Sequence, residues 1–459
     1  MEYGIISIAI PLLTIILAII TKDVIVSLLG GIFVGLLVLN DFSFLDTIIA
    51  FFDGIVAQFA QGWITKTLLF MLFVGAIIRI LSDAGAVERF VAYLSLKSER
   101  IDSPKGAMLL AYVIGVVIFI ESSITSMVAA TVAKPLCDKN NVSREKLAYI
   151  CDSTSAPVCT IVPLNGWGAL LLGLIVAAID AHVIGGDAVS LLLEAIIFNF
   201  YAWVTLLIVL LVILFNINIG PMKHAKAKKY ENKHANTDVK PSLWHMVLPI
   251  VVVVGMVPLA LLYTGKGDIF AGSGSTSVYY ATIVTLIFMY FYFVPTKNIS
   301  HKNYFKSLYN GMGEMLPVTL ILLFAIYIGD VIGDLGTAKF IAHLLDGNIS
   351  PMLIPLLVFL VSSMTAFATG TSWGTFSIML PIALALGATM DLHIPLLIAA
   401  VMSGGVFGDH TSPISDTTII SSMAAGCDHI EHVRTQIPYA LIGGVLAAVA
   451  FLVSGWAMV

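Results

Sequence analysis

Two short runs set acidic and hydroxyl side chains into otherwise apolar sequence: Cys151-Asp152-Ser153-Thr154-Ser155-Ala156-Pro157 and Gly408-Asp409-His410-Thr411-Ser412-Pro413-Ile414-Ser415-Asp416-Thr417-Thr418. A carboxylate beside several hydroxyls supplies hard oxygen ligands, which suit a small hard cation such as Na+ by the logic that governs Ca2+ and Mg2+. The proline in each run lacks a backbone donor and interrupts a helix, leaving further carbonyls free. The same carboxylate can take up a proton, so proton and cation compete for it. Such competition, carried from one side of a barrier to the other, is sufficient for cation/proton exchange. Asp152, Asp409 and Asp416 are the sharpest cases, followed by Glu121 and Asp330.

The barrier is legible in the composition. Of 459 residues, 59% are hydrophobic and only 11% charged, about half the usual charged share of a soluble domain. A water-facing globule is excluded, and apolar runs such as Gly4 to Ile20 and Ser190 to Phe215 match the thickness of a bilayer core. An intramembrane carboxylate costs about 2.5–3.5 kcal/mol on insertion scales, so each needs a partner or a function. Cys137, Cys151, Cys159 and Cys427 suggest neither a disulfide framework nor a metal-ligand spacing. Glu2 stands where a signal peptide would carry Lys or Arg, so residues 4–20 read as a retained first helix. No P-loop, HExxH or GxSxG pattern occurs, which disfavours ATP-driven transport and familiar hydrolase chemistry.

Spans fall near 4–20, 24–39, 64–82, 145–182, 190–215, 244–263, 277–294, 316–335, 394–426 and 433–458. The stretches 105–136 and 351–387 carry polar centres, Glu121-Ser122-Ser123 and Thr369-Gly370-Thr371-Ser372, and read as hairpins that enter and return. The segments 45–60, 85–98 and 303–314 read as interfacial amphipathic helices. With re-entrant hairpins, all but Lys66, Lys266 and Lys339 of the 23 Lys and Arg residues fall on one side, including the basic linker 216–243. The positive-inside rule makes that side cytoplasmic. The chain is then a multi-pass plasma-membrane protein with both termini outside and the lipid bilayer as its surroundings.

The runs around Asp152 and Asp409 correspond, as do Leu81-Ser82-Asp83-Ala84-Gly85 and Ile332-Gly333-Asp334-Leu335-Gly336. Residues 1–215 (hairpin 105–136, broken helix 145–182) and 244–459 (hairpin 351–387, broken helix 394–426) therefore read as two repeats. Five crossings per half invert the second relative to the first. The fold expected is all-α and polytopic: about ten transmembrane helices, two re-entrant hairpins and two broken helices, the signature of secondary transporters. The first, second and last helices of each half would form a stationary part offering a homodimer interface.

Plainer roles suit several residues. Asp83 and Asp334 lie near helix ends as caps or solvated groups, and Arg79 is expected to pair with Asp83. His410 is expected to orient Asp409 by a hydrogen bond. His429 and His432, beside Asp428, Glu431 and Arg434, read as solvated. Trp167 and Trp373, each followed by Gly, either pack near the breaks or line a pocket.

The Gly408–Thr418 run, together with Thr369-Gly370-Thr371-Ser372-Trp373-Gly374-Thr375, resembles the NhaC-type Na+/H+ antiporter family. The resemblance implies the ion-transporter superfamily fold, in which cation sites form where a hairpin tip meets a helix break and substrate sits between the two tips. Carried across, it assigns Asp409, Thr411, Ser412, Ser415 and Asp416 to cation or proton binding, with Thr371 and Ser372 on the facing tip and Na+ at Asp409 and Asp416. The first half departs from the pattern, with Ser153 in the place of His410 and Thr160 or Cys159 in that of Asp416. Glu121, Ser122, Ser123, Asp152, Thr154 and Ser155 are its second-site or coupling candidates. Asn165, Trp167, Thr369, Trp373 and His410 could line a pocket for a small organic solute. No cofactor is expected, only Na+ and H+ as transported or coupling ions. Two functions follow: Na+/H+ antiport, or Na+- or H+-coupled carriage of an amino acid or a carboxylate such as malate or lactate.

Overall fold

The computed structural model describes residues 3–458 apart from 22, 87–88, 90–102, 120–121, 164, 228–240, 268–271, 338–339, 341–349 and 414. Among the described residues every regular element is a helix. The first half runs α1 (Ile6–Thr21), α2 (Val24–Leu39), α3 (Phe44–Ala60), α4 (Gly62–Asp83), α5 (Pro104–Val117), α6 (Ser122–Lys139), α7 (Arg144–Ile161), α8 (Gly166–Asp180), α9 (Ala188–Ile197) and α10 (Phe200–Phe215). The second runs α11 (Trp244–Thr264), α12 (Gly274–Phe293), α13 (His301–Asp334), α14 (Ile354–Thr369), α15 (Ser372–Thr389), α16 (Ile394–Thr411), α17 (Asp416–Ala425) and α18 (His429–Met458). Among the described residues ten helical segments are long and apolar enough to cross a membrane, both arms of the second hairpin included. The chain is a multi-pass membrane protein.

Burial sorts these helices. In α16, 89% of the most apolar window is buried, against 24% in α11. Helices that all pass as spans thus divide into protein-facing and lipid-facing classes, the more apolar α11 facing outward and the more polar α16 lying inside. The buried apolar side chains form two cores. One gathers α1, α2, α8 and α9 with α13 to α16; the other gathers α5 to α7 with α10 and α12. Helix α4 enters both, its first turns in one and its last in the other.

The cores are tied by the crossing of α4 and α13. A Cβ on Gly75 would lie 2.3 Å from the Gly311 carbonyl oxygen, and one on Gly311 as close to that of Gly75. Small residues let helix backbones approach where no hydrophobic drive separates protein from lipid. At one end of this crossing Arg79 binds Asp83 at 3.0 Å, as expected, and also Glu314 at 2.6 Å. Asp83 additionally accepts from Ser307 at 2.6 Å.

Two boundaries differ from expectation. Segments 303–314 and 316–335, read as an interfacial helix and a span, are one 34-residue helix containing Pro317. Gly311 explains the continuity, because its backbone packs directly against that of Gly75 on α4 and ties this stretch to the span that follows. The single span 190–215 is two helices, separated where Asn199, fully buried, leaves helical geometry. The interfacial segment 45–60 is α3, but 85–98 falls mostly outside the described residues, as does much of the basic linker.

Replacing Gly75 by Val should force α4 and α13 apart, since backbone faces backbone and neither can rotate away. Overpacking of this kind costs about 1–3 kcal/mol. The expected result is a melting temperature several degrees lower in detergent, read by fluorescence-detected size exclusion, and an unchanged value would refute the crossing.

Candidate functional site

Both broken helices are built locally by proline and capping. Helix α7 contains Pro157 and ends at Ile161; Pro163 follows, and Asn165 caps α8 by accepting from the Gly168 amide at 3.0 Å. Helix α16 ends at Thr411; Pro413 follows, and Ser415 caps α17 by accepting from the Thr417 amide at 3.2 Å. Backbone freed at such depth needs partners, because the bilayer core supplies none.

Hairpin tips supply them. At the first break the Asn165 side-chain amide donates to the carbonyls of Cys159, Val162 and, on the hairpin between α5 and α6, Phe119, all within 2.9 Å. Thr125 at the same tip donates to the Ile118 carbonyl. At the second break Ser412 donates to Phe367 of α14 at 2.8 Å, and Ser372 at the hairpin tip donates to Gly405 of α16 at 3.1 Å. Gly404 and Gly408 allow this approach: a Cβ at either would fall 2.5 Å or less from a backbone oxygen of α14. The partners are also crossed. The α6 arm packs on α17 as well as on α7, and the α15 arm packs on α8 as well as on α16.

Asp409 is 1% exposed at the second break. Ser415 donates to its Oδ1 at 2.5 Å and Thr417 to its Oδ2 at 3.3 Å, and the two hydroxyls lie 3.0 Å apart. This is an oxygen cluster on one buried carboxylate. Thr411 points elsewhere, donating to the Phe407 and Gly408 carbonyls of its own helix. Thr371 caps α15, and Thr369 donates back to Thr365. Asp416 begins α17, but its side chain lies outside the described residues, as do Glu121 and the side chain of Ser123.

Asp152 is also fully buried, in a different setting. Gln436 Nε2 donates to its Oδ2 at 2.5 Å, His432 Nε2 lies 3.5 Å from the same oxygen, and Ser421 donates to Oδ1 at 3.2 Å. Ser421 is in turn 2.7 Å from Ser126 on α6. Thr154 and Ser155 donate to carbonyls of their own helix, and Ser122 is buried. Gln436 Nε2 also reaches the His410 carbonyl at 3.0 Å, which joins the surroundings of Asp152 to the helix end that carries Asp409.

Two expectations are corrected here. His432 is not solvated but 0% exposed. His410 does not orient Asp409: its Nδ1 meets the Tyr201 hydroxyl at 3.1 Å, since adjacent helical residues point in different directions. Asn199, Ser403 and Tyr201 were missed altogether. Ser403 donates to Asn199 at 2.8 Å and Asn199 to Thr160 at 2.9 Å, a buried chain linking α16 to α7.

Trp167 and Trp373 pack with ring centroids 5.4 Å apart and planes tilted by 53°, and Trp167 Nε1 is a buried donor without a hydrogen-bond partner among the described residues. Asp330 accepts from Gln58 of α3 at 2.9 Å, in keeping with a structural role. A cavity of about 500 Å3 between α4, α8, α9 and α11 touches Pro163, Asn165 and Asp187 but neither Asp152 nor Asp409, and its lining is mostly apolar.

The Na+/H+ antiporter family pattern matches residues 158–456, which contain the second broken helix and its hairpin. The chain belongs to the Na+/H+ antiporter family. It is a secondary transporter. An uncharacterized protein of Haemophilus influenzae is 35% identical over 98% of this chain and 91% of its own length. The malate-2H+/Na+-lactate antiporter of Bacillus subtilis is 30% identical over 34% of each. Among solved structures, Neisseria gonorrhoeae MtrF shares the fold, with a TM-score of 0.61 over 89% of this chain and 84% of its own at 13% identity.

Asn165 is both cap and carbonyl clamp. Asn165→Asp would keep the acceptor for Gly168 but turn an oxygen toward the clamped carbonyls, so the isostere should be at least as damaging as Asn165→Ala. Each should lose about 1–3 kcal/mol, read as a lower melting temperature. Wild-type stability in the Asp variant would show that the clamp does not hold.

Proposed function

We propose that this chain exchanges Na+ for H+ across the plasma membrane, with Asp409 as the carboxylate that carries the cation and Ser415 and Thr417 as its oxygen co-ligands. The observation that carries the reading is a buried carboxylate at a helix break whose described side-chain partners are hydroxyl oxygens. Na+ would take the place of the hydroxyl protons as those side chains turn their lone pairs inward, and carbonyls freed at the break complete the set. Hydroxyls at Thr411, Ser412, Thr371 and Ser372 hold the frame of this site by their bonds to backbone. In this reading the two halves are inverted repeats, both termini lie outside and the basic linker faces the cytoplasm.

A second reading has one observation in its favour. The unpartnered Trp167 Nε1 lies beside Trp373, near the N-termini of α8 and α15. A buried donor near two helix N-termini suits the carboxylate of an organic acid, and the Bacillus relative is named for malate and lactate. Counterflow of radiolabelled malate and lactate in Na+-loaded proteoliposomes tests it, and absence of any flux removes it.

In sealed proteoliposomes an inward Na+ gradient should drive protons out of wild-type vesicles, with Asp409→Asn reducing the flux to background. Ser415→Ala should raise the Na+ concentration for half-maximal flux about tenfold, the effect of one oxygen ligand worth about 1.4 kcal/mol. Undiminished Na+-dependent proton movement in Asp409→Asn would refute the assignment.

A further inference from the structure

We propose that Asp152 and His432 form a proton-carrying site separate from the cation site at Asp409, the two being linked through Gln436 and the His410 carbonyl. The proposal rests on the exchange reading above and divides its two cargoes between two carboxylates.

The contrast in partners is the first ground. Around Asp409 the described side-chain partners are hydroxyl oxygens, each able to turn a lone pair toward a metal ion. Around Asp152 stand the Gln436 amide N–H and an imidazole nitrogen, with one hydroxyl. N–H donors repel a cation and cannot ligate it. A carboxylate met in this way is held ionised and is placed to balance a protonated imidazole beside it.

The second ground is the imidazole itself. His432 is 0% exposed, and among the described residues neither ring nitrogen has a hydrogen-bond partner, Nε2 standing 3.5 Å from Asp152 Oδ2 as an ion-pair contact. Leaving a buried polar nitrogen unmatched costs about 1–3 kcal/mol, and buried polar groups are otherwise almost always matched. With the Nε2 proton turned toward Asp152, Nδ1 presents a lone pair that accepts an incoming proton. Protonation makes a net-neutral imidazolium–carboxylate pair. Loss of that proton leaves one uncompensated negative charge in an apolar interior.

The third ground is connection. Gln436 bonds Asp152 and the His410 carbonyl with one nitrogen, and His410 adjoins Asp409. Ser421, on the helix that Ser415 caps, bonds Asp152 from the other side. Tyr201 of α10 joins this link through its hydroxyl, 3.1 Å from His410 Nδ1. The titratable groups around the pair are His410 on α16, whose carbonyl shares Gln436 with Asp152, Tyr201 on α10, bonded to His410, Tyr149 and Cys151 on α7 itself, and Tyr439 on α18, stacked against Tyr149. Helix α14 contributes none, and Lys223 and His224 in the turn after α10 are exposed.

The balance is simple. One proton joins Nδ1 from the aqueous side that the site faces and leaves to water on the other side, while one Na+ at Asp409 travels the opposite way. Loading either site removes one unit of buried negative charge, so the two cargoes are alternative loads of one moving unit.

Two transport modes separate the sites. Radioactive 22Na+/Na+ exchange at equal pH needs the cation site alone, whereas Na+-driven proton movement, read with an internal pH dye, needs both. His432→Gln in proteoliposomes should keep 22Na+/Na+ exchange within about threefold of wild type and lower Na+/H+ exchange at least about tenfold. Asp152→Asn should do the same, and Asp409→Asn should lose both modes. A His432→Gln protein that exchanges Na+ for protons at the wild-type rate would overturn the proposal. So would loss of both modes together in the His432 and Asp152 variants while each purifies as a monodisperse species. Wild-type vesicles in which Na+ moves no protons would overturn the exchange reading itself, and this proposal with it.

Discussion

A helix broken inside a bilayer leaves amide and carbonyl groups that neither lipid nor regular secondary structure can satisfy. The rest of this structure follows from how those groups are met. Asn165 gathers three carbonyls at the first break, one of them from the facing hairpin. Ser412 and Ser372 stitch the second break to its hairpin. The hairpins do more than pack. They are the donors and acceptors that make irregular backbone tolerable at this depth, and the glycines of α16 bring them close enough to serve.

The crossed pattern has a further consequence. Each hairpin rests on the first half of the broken helix next to it in sequence and on the second half of the other. Neither break can therefore shift without disturbing the partners of both. The two apolar cores meet along a polar seam that contains Asp152, Asp409, Tyr201, His410, Ser421 and Gln436. Within it the two carboxylates differ in kind, one met by hydroxyls at a chain break, the other by the Gln436 amide, the His432 imidazole and the Ser421 hydroxyl in mid-helix. That difference comes from position: Asp409 lies three residues before the chain leaves its helix, whereas Asp152 sits in the middle turns of α7.

Much of this was legible in the residues. Proline beside an acidic run marked both breaks, hydroxyl and glycine clusters marked the hairpin tips, and apolar runs marked the membrane class. What stayed hidden depended on partners far away in sequence. Asn199 sits in a run so apolar that it reads as one span, and its partners Thr160 and Ser403 lie on α7 and α16. Residues 301–334 read as two elements because Gly311, Gly313 and Pro317 are poor helix formers; the close packing of α4 on Gly311 prevails over propensity. His432 was misread from its charged neighbours. Helical spacing held the better signal, since His432, Thr435, Gln436 and Tyr439 recur at the interval of one face, and all four are buried.

These contacts also bear on which part of the protein moves. If the last helix of each half stood still while the hairpins and breaks travelled, Gln436 on α18 would have to release Asp152 and the His410 carbonyl in every cycle. Tyr201 on α10 would have to release His410 likewise. Parting a buried carboxylate from its donor leaves a charge unmatched and costs several kcal/mol, with nothing in the seam placed to offset it. Motion that keeps these bonds is less costly. On that argument the travelling unit would include the first turns of α18 and of α10 with the two hairpins, and the close crossing of α4 and α13, with the apolar helices α11 and α12 beside it, would be the part against which it slides.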